Sequence, residues 1–437
     1  MRDFFLLIML PFMLYAMAKR PFIALGMWIW TAMFFPNAWV YGLASGIRFN
    51  LLFAAVAIIG YVVWKNKPKV SLGSTGAVVL LFFGWTTLST MGTMAQPDIS
   101  WEYWSRFAKV ILLFLFVICI MQKKLHIDFF LWCVVLSIGF YGSMEALKYL
   151  ATGGTHKIEG FAGHVLGDRN ELAVAFNMTL PLSYYLLTQY GKESKLVRIG
   201  LFGVMALLIT AIIGTQSRGG FIALLSLAGY LFIKTERKIL LTTMLVVVVG
   251  AFSGIVSNEW FSRMDTINNM DSDASFMGRV VAWKLSFILA TNHPFFGGGF
   301  KALEYFPVWS NLSQDFLSFP FFYTGDALPD MFRGRAAHSV YFQVLSDHGF
   351  VGLGLYLCAL ALSFRNAGRV AALARMAGGH DWVSTLATML QLSIFAFAVG
   401  GAALSFAYFD LIFAIYAIVI VLNLRIFPSF IAKDAMR

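Results

Sequence analysis

The chain has 437 residues and a formal net charge of +11, with 59% hydrophobic, 16% aromatic and 13% charged residues. Soluble domains carry roughly 25% charged residues, so this composition excludes a soluble globular enzyme and predicts a polytopic membrane protein. The basic residues stand in short clusters between apolar runs. The positive charge therefore does not indicate a nucleic-acid partner.

Thirteen apolar runs follow one another along the chain. Each is expected to be helical, because the backbone polar groups find no water inside a bilayer. The runs lie near residues 4–18, 21–46, 49–64, 76–94, 107–121, 127–150, 170–190, 197–214, 219–233, 239–257, 338–363, 384–402 and 405–427. Some are short against the roughly 20 residues that a crossing needs, so we expect an all-α protein with about 12 transmembrane helices.

Basic clusters in alternate loops predict the side that each loop faces. They are Lys65/Lys67/Lys69, Lys123/Lys124, Lys192/Lys195/Arg198, Lys234/Arg237/Lys238, Arg365/Arg369/Arg375, and the tail with Arg425, Lys433 and Arg437. The positive-inside rule places these loops in the cytoplasm. The loops between them, 95–106, 151–169, 215–218 and 258–337, then face outward. We divide the chain into spans 1–10 over residues 1–257, a long outer loop over 258–337, and C-terminal spans over 338–437.

The long outer loop contains one predicted amphipathic helix, from Ser275 to Asn292 and ended by Pro294. Its polarity favours a helix that lies on the membrane over one that crosses it. Its apolar stripe consists of Met277, Val280, Val281, Leu285 and Ile288. Asp271-Ser272-Asp273, just before it, resembles the Asp-x-Asp motif that holds a metal in many glycosyltransferases. These acids would equally favour the positive end of the helix, and we predict no metal site.

Arg218 stands in a glycine-bearing break between two apolar runs, from Thr215 to Gly220. Its planar guanidinium suits phosphate oxygens. A snorkelling arginine in a simple outer turn would give the same pattern. We favour the anion-binding interpretation, because an arginine at such a break is expected to line a cavity.

Two further arginines lie on the outer side. Arg169 follows Asp168, which forms a helix-capping pattern with Glu171. Arg169 is therefore either a second phosphate contact or part of a local ion pair. Arg279 falls near the first turn of the amphipathic helix, with Trp283 one turn later. It faces either the same cavity or lipid headgroups.

His338 begins the C-terminal spans and is the candidate general base. A helix N-terminus disfavours the imidazolium, and an ordinary pKa near 6.5 already leaves most of the ring neutral at pH 7. An interfacial histidine beside an apolar run is often only structural. Because the sequence shows no Ser-His-Asp or HExxH pattern, His338 is still the best base available.

These segments together resemble the superfamily of O-antigen ligases and O-antigen polymerases, which are bacterial membrane glycosyltransferases. The resemblance covers Gly167 to Gly352. The matching residues are Gly167-Asp168-Arg169-Asn170 before Leu172-Ala173, Thr215-Gln216-Ser217-Arg218-Gly219, Arg279 with Trp283, Pro294 to Phe300, His338 to Tyr341, Leu345, and Asp347 to Gly352. The sequence departs at Ser339, where the family often has Asn, and at Asp347, where Glu is common.

The resemblance implies a GT-C-like fold in the bacterial inner membrane, with its active site facing the periplasm and with neither metal nor cofactor. The enzyme would transfer a glycan from undecaprenyl diphosphate to a hydroxyl of lipid A-core. In that chemistry His338 is the base, and Arg218 and Arg279 bind the diphosphate with Arg169 as a weaker third. Asn170, Trp283 and Ser217 would surround them. The expected partners are the carrier-linked glycan donor, the lipid A-core acceptor and membrane lipids, with no nucleic acid, and we expect a monomer.

Three alternatives remain open at this stage. An O-antigen polymerase uses the same donor with a second carrier-linked glycan as acceptor, and a protein O-oligosaccharyltransferase uses a protein acceptor. A lipid-linked glycan transporter would break no bond. Transporters usually place functional charges near the bilayer midplane, whereas here the notable charges stand at the outer ends of spans. That position favours an enzyme.

Overall fold

The computed structural model describes residues 2–65, 67–234, 274–378 and 381–434. Within these ranges the chain forms helices joined by turns, and no β-strand. The α-helices, in chain order, are α1 (Arg2–Lys19), α2 (Pro21–Phe34), α3 (Phe49–Val63), α4 (Gly73–Met91), α5 (Pro97–Ile120), α6 (Lys124–Ala151), α7 (Arg169–Tyr190), α8 (Lys195–Gly214), α9 (Arg218–Lys234), α10 (Ala274–Asn292), α11 (Phe306–Gln314), α12 (Val340–Ala377), α13 (Asp381–Gly400), α14 (Asp410–Val421) and α15 (Phe427–Asp434).

Seven segments in the described part are long and apolar enough to cross a membrane. They are α4, α5, α6, α8, α12, α13 with the turn that follows it (Asp381–Ala403), and α14 with the helical turns that follow it (Asp410–Phe430). Helices α2, α3 and α9 are shorter apolar helices. The prediction of an all-α, multi-pass membrane protein is confirmed. The count of about 12 stays a prediction, since the apolar run 239–257 lies outside the described residues.

Two predicted loops are wrong because they are helical. Residues 97–106, placed in an outer loop, form the first turns of α5, which begins at Pro97. Proline suits the first helical position, and an ion pair of 2.6 Å between Glu102 and Arg106 supports these polar turns. At the other end of the bundle, the segment with Arg365, Arg369 and Arg375 belongs to α12, which continues to Ala377.

Helix α7 lies in the middle of the bundle. It packs against α6, α8, α9 and α13, and most of its side chains are buried, Pro181 among them. Its first turn is fixed by a capping box, as predicted: the Asp168 carboxylate accepts the N–H of Asn170 at 2.7 Å, and the Glu171 carboxylate accepts the N–H of Asp168 at 3.1 Å. This start fixes Asp168, Arg169 and Asn170 at one end of the bundle.

The segment from α10 to Ala337 has a small apolar core of its own. The amphipathic helix is confirmed, but the prediction that it lies on the membrane is wrong for its apolar face. All five residues of the predicted stripe are buried within the protein. Leu285 and Ile288 of α10 join Trp309 of α11 and Ala337 in one cluster. Sequence periodicity predicts an apolar face, but it does not distinguish a face that packs against protein from one that packs against lipid.

Two glycine-rich motifs dock this segment onto α12. Helix α12 is broken at Gly349, where φ is +69°. At that break the N–H groups of Gly298 and Gly299 donate to the carbonyls of Ser346 and Asp347, at 2.9 and 2.8 Å. A Cβ atom on Gly297 would lie 2.6 Å from the nitrogen of Gly349, so no side chain fits there. The motifs around Gly297 and Gly349 thus have a structural role.

Candidate active site

The break that carries Arg218 is a helix start bound to α7. Arg218 is the first residue of α9, and the N–H of Gly220 donates to Ser217 Oγ at 3.1 Å, so Ser217 caps the helix. The Ser217 hydroxyl in turn donates to Asn170 Oδ1 at 2.7 Å. Gln216, just before it, has a positive φ of 52°. The structure therefore brings the predicted residues Ser217, Asn170 and Arg218 together.

The turn after α13 connects this region to His338. On one side, a Cβ atom on Gly219 would lie 2.9 Å from Ala403 Cβ. On the other, a Cβ atom on Gly401 would lie 3.0 Å from Val340 Cγ1, at the start of α12. Ser405, two residues after Ala403, accepts the backbone N–H of His338 at 2.9 Å. The residue after Arg218 and the backbone of His338 thus contact the same short turn.

His338 has a strained backbone, and both polar atoms of the peptide group that joins it to Ala337 are hydrogen-bonded. Its φ is +47°, in the left-handed region that few non-glycine residues occupy. Its own N–H is bound by Ser405, and the carbonyl of the preceding Ala337 accepts the indole N–H of Trp283 at 2.8 Å. Such strain costs on the order of 1–3 kcal/mol and is concentrated at functional sites. The two hydrogen bonds offset part of that cost.

Trp283 fixes α10 beside His338. Its ring stacks on that of Phe342 in α12, with centroids 5.3 Å apart and planes 8° from parallel. Arg279 lies one turn before Trp283 on α10 and is half-buried. Burial lowers the pKa of His338 most, and the positive charge of Arg279 lowers it further. The predicted pair Arg279 and Trp283 is therefore brought to the predicted base.

The surroundings of His338 keep its ring uncharged near neutral pH. Crowding by protein atoms is the largest cause of its lowered pKa, although the residue remains exposed at the surface, and the positive charge of Arg279 is the next cause. The carboxylates of Asp168 and Glu304 oppose this effect, and Lys301 adds to it. A neutral imidazole with carboxylates nearby can take up a proton and be stabilised once it is charged.

Lys301 and Glu304 are charged neighbours that the sequence analysis missed. Lys301 Nζ is 2.6 Å from Glu304 Oε1 and 4.6 Å from the centre of the Tyr103 ring. Burial acts to lower the pKa of Lys301, but the pairing with Glu304 raises it overall. The backbone N–H of Lys301 donates to Asp347 Oδ1 at 3.2 Å, and its φ is +64°. Its position directly after the motif Pro294 to Phe300 was the available signal.

A second missed group is Arg335. Its Nη2 atom is 2.7 Å from Asp330 Oδ2, and hydrogen bonding from Arg335 lowers the pKa of Asp330 to about 2. Its Nη1 atom is 3.6 Å from the place where a Cβ atom of Gly278 would lie. Since Gly278 directly precedes Arg279, Arg335 adds a guanidinium beside the same turn of α10.

The remaining predicted residues stand as follows. Arg169 is half-buried at the start of α7, and the described part of the chain gives it no ion-pair partner. Among the described residues no group of three or more His, Cys, Asp or Glu side chains is placed to hold a metal ion. The segment Asp271 to Asp273 lies outside the described residues, and metal independence stays a prediction.

Two protein families match this chain, over separate regions. Residues 1–190 match a family of unknown function, and residues 203–357 match the family described as O-antigen ligase. No curated protein matches the chain. The second region contains Arg218, Arg279 and His338, and it supports a ligase- or polymerase-type function. The match over residues 203–357 supports an O-antigen ligase-type family and confirms the resemblance seen in the sequence.

Proposed function

We propose that this protein is an O-antigen ligase, which transfers a glycan from undecaprenyl diphosphate to a hydroxyl group of lipid A-core. In this proposal a GT-C-like enzyme works in the bacterial inner membrane, with its site open to the periplasm and without a metal. One observation carries the proposal: Trp283, one turn after Arg279 on α10, donates to the Ala337 carbonyl, and Ser405 accepts the N–H of His338, so that the candidate base is fixed beside the helix that carries Arg279.

His338 is the base in the proposed reaction. Its neutral ring accepts the proton of the acceptor hydroxyl while the hydroxyl oxygen attacks the anomeric carbon. The bond from that carbon to the diphosphate oxygen breaks, and its electron pair leaves with the diphosphate. Asp168 and Glu304, whose charges raise the pKa of His338, stabilise the imidazolium that forms. A positioned base contributes about 10²–10⁴ in rate, and direct attack inverts the anomeric configuration.

Arginines hold the departing diphosphate in this proposal. The leaving group is stable without protonation, but its charge has to be bound at an apolar boundary, where fixed guanidiniums act strongly. Arg279 is the primary ligand, because its charge acts on the pKa of His338 more strongly than that of the other nearby cation, Lys301. Arg218 is the second, since the Ser217–Asn170 hydrogen bond fixes the first turn of its helix. Arg169 is a weaker third ligand at the start of α7.

The acceptor decides between the candidate reactions. The test uses purified protein in detergent with labelled carrier-linked glycan and one of three additions: lipid A-core, a serine-rich peptide, or none. We expect product only with lipid A-core, and the same yield in excess chelator. Longer carrier-linked glycan from the donor alone would instead identify a polymerase, and a labelled peptide would identify a protein O-oligosaccharyltransferase.

A transporter is distinguished by a second measurement on the same preparation. Reconstituted in vesicles, a transporter would move the carrier-linked glycan across the bilayer and yield no product with any acceptor. That combination of results would refute the proposed transfer reaction.

His156→Ala serves as the matched control for histidine substitutions, because His156 pairs with Glu145 at 2.7 Å and lies on another loop.

A further inference from the structure

A cavity of about 460 Å³ lies at the end of the molecule where α5 finishes and α15 begins. Its lining combines two cations, three polar side chains and an apolar wall. The cations are Lys69 and Arg425, and the polar residues are Ser71, Gln122 and Ser429. Pro68, Ile118, Ile420, Val421 and Leu424 form the wall. No carboxylate lines the cavity among the residues that the structure describes.

Among the described residues, the guanidinium of Arg425 donates hydrogen bonds to neutral backbone carbonyls. Its Nη1 atom donates to the carbonyls of Ile118 and Met121, at 2.9 and 2.5 Å, and its Nη2 atom donates to the carbonyl of Lys69 at 2.8 Å. The carbonyls of Ile118 and Met121 lie at the C-terminus of α5, which favours a cation. Arg425 lines the cavity and forms no ion pair within the described ranges, so no carboxylate of those residues neutralises its charge. A half-buried charge of this kind is costly unless an anion pairs with it.

The backbone at Arg425 is unusual as well. Residues Leu422–Ile426 form a π-helical turn between α14 and α15. Such turns are rare and are often found at functional sites. Here the π-helical turn places Arg425 between the end of α5 and the segment around Lys69. The cavity at this turn is therefore basic and lies between helices.

We propose that this cavity binds the phosphate headgroup of an anionic membrane lipid. Arg425 and Lys69 supply the charge, and Ser71, Gln122 and Ser429 supply hydrogen-bond donors for phosphate oxygens. The apolar wall on Leu424 and its neighbours fits the upper part of an acyl chain, which a free inorganic anion would leave uncovered. Basic cavities between helices are suited to anionic lipid headgroups of the cytoplasmic leaflet. The binding is independent of the glycan-transfer chemistry.

The test measures the thermal stability of full-length protein in a zwitterionic detergent. Phosphatidylglycerol, phosphatidylcholine or inorganic phosphate is added at increasing concentration. We expect phosphatidylglycerol alone to raise Tm, by about 3 °C near saturation. In Lys69→Glu, half-maximal stabilisation should need about tenfold more phosphatidylglycerol, since one charged hydrogen bond is lost. Lys195→Glu, a charge reversal at an exposed lysine outside the cavity, should behave like the wild type.

Ser429→Trp provides a variant that keeps Arg425 and the end of α5 intact. The indole fills the cavity from its exposed edge, so we expect it to abolish the response to phosphatidylglycerol without lowering the starting Tm. An equal response to phosphatidylcholine, or a response to inorganic phosphate alone, would overturn the assignment to an anionic lipid headgroup. If Lys69→Glu and Lys195→Glu responded equally to phosphatidylglycerol, the assignment of the binding site to this cavity would be overturned.

Discussion

Replacing Ser405 with alanine removes the oxygen that accepts the backbone N–H of His338 at 2.9 Å. Without this acceptor, the peptide group that joins Ala337 to His338 keeps only one of the two hydrogen bonds that offset the left-handed backbone of His338. A buried donor left without a partner costs about 1–3 kcal/mol. Because Ser405 is only half-buried, water recovers part of this energy, and we take about 1.4 kcal/mol as the loss.

This loss of free energy affects how well the imidazole ring is positioned. A loss of about 1.4 kcal/mol corresponds to about a tenfold lower population of the productive backbone, so kcat is expected to fall about tenfold in Ser405→Ala. The KM for the donor should change little, because the arginines that bind the diphosphate are untouched. Ser405→Thr retains the acceptor oxygen and should recover most of the activity. Ser45→Ala, at an exposed serine of the 3-10 turn Leu43–Gly46, serves as a matched control.

The assay is steady-state transfer to lipid A-core at several donor concentrations, with donor binding measured separately. A structural role for Ser405 alone would lower the amount of folded protein and leave kcat per folded molecule unchanged. An unchanged kcat in Ser405→Ala would refute the idea that this hydrogen bond positions His338. Equal losses in Ser405→Ala and Ser405→Thr would refute it as well.

Substitutions at three further positions and one additive probe other parts of the site. The acid limb of the pH profile of kcat/KM should lie below pH 6.5, because the pKa of His338 is lowered. Arg279→Gln should move this limb to higher pH, whereas Arg279→Lys should leave it in place. An acid limb that does not move in Arg279→Gln would show that Arg279 does not act on the ring. Ser217→Ala removes the α9 cap and the hydrogen bond to Asn170. This loss should lower the free energy of unfolding by about 1–2 kcal/mol and raise the donor KM. A donor KM equal to that of the wild type would argue against Arg218 as a ligand. Trp283→Phe keeps an aromatic ring next to Phe342 but loses the bond to Ala337, so kcat should fall several-fold; full activity would show that this bond is dispensable. Excess EDTA should leave turnover unchanged, and a loss that Mg²⁺ restores would disprove metal independence.

Local features of the fold were predictable from the sequence where one short pattern determines them. The predicted end of the amphipathic helix at Asn292 is confirmed, because Pro294 marks it. The capping box of Asp168 and Glu171 is seen as expected. The start of α5 was missed because its first turns are polar, and hydropathy alone does not report a helix that extends beyond a membrane.

The contacts that build the site depend on residues far apart in the sequence. His338 and Ser405 are 67 positions apart, and no pattern in either segment indicates that they meet. Trp283 was predicted to face the site, but its bond to the Ala337 carbonyl required the docking of α10 on α12. The charges of Lys301 and Glu304 near His338 follow from the contact between Gly297 and Gly349, which sequence spacing does not specify.

The central claim, one base beside a cluster of arginines, is tested most directly by measuring donor binding and single-turnover transfer for the same two variants. For His338→Ala we predict a donor Kd within about twofold of the wild type and a transfer rate at least about 100-fold lower. For Arg279→Ala we predict that donor binding itself weakens by about tenfold or more. Transfer by His338→Ala at the wild-type rate would contradict the account.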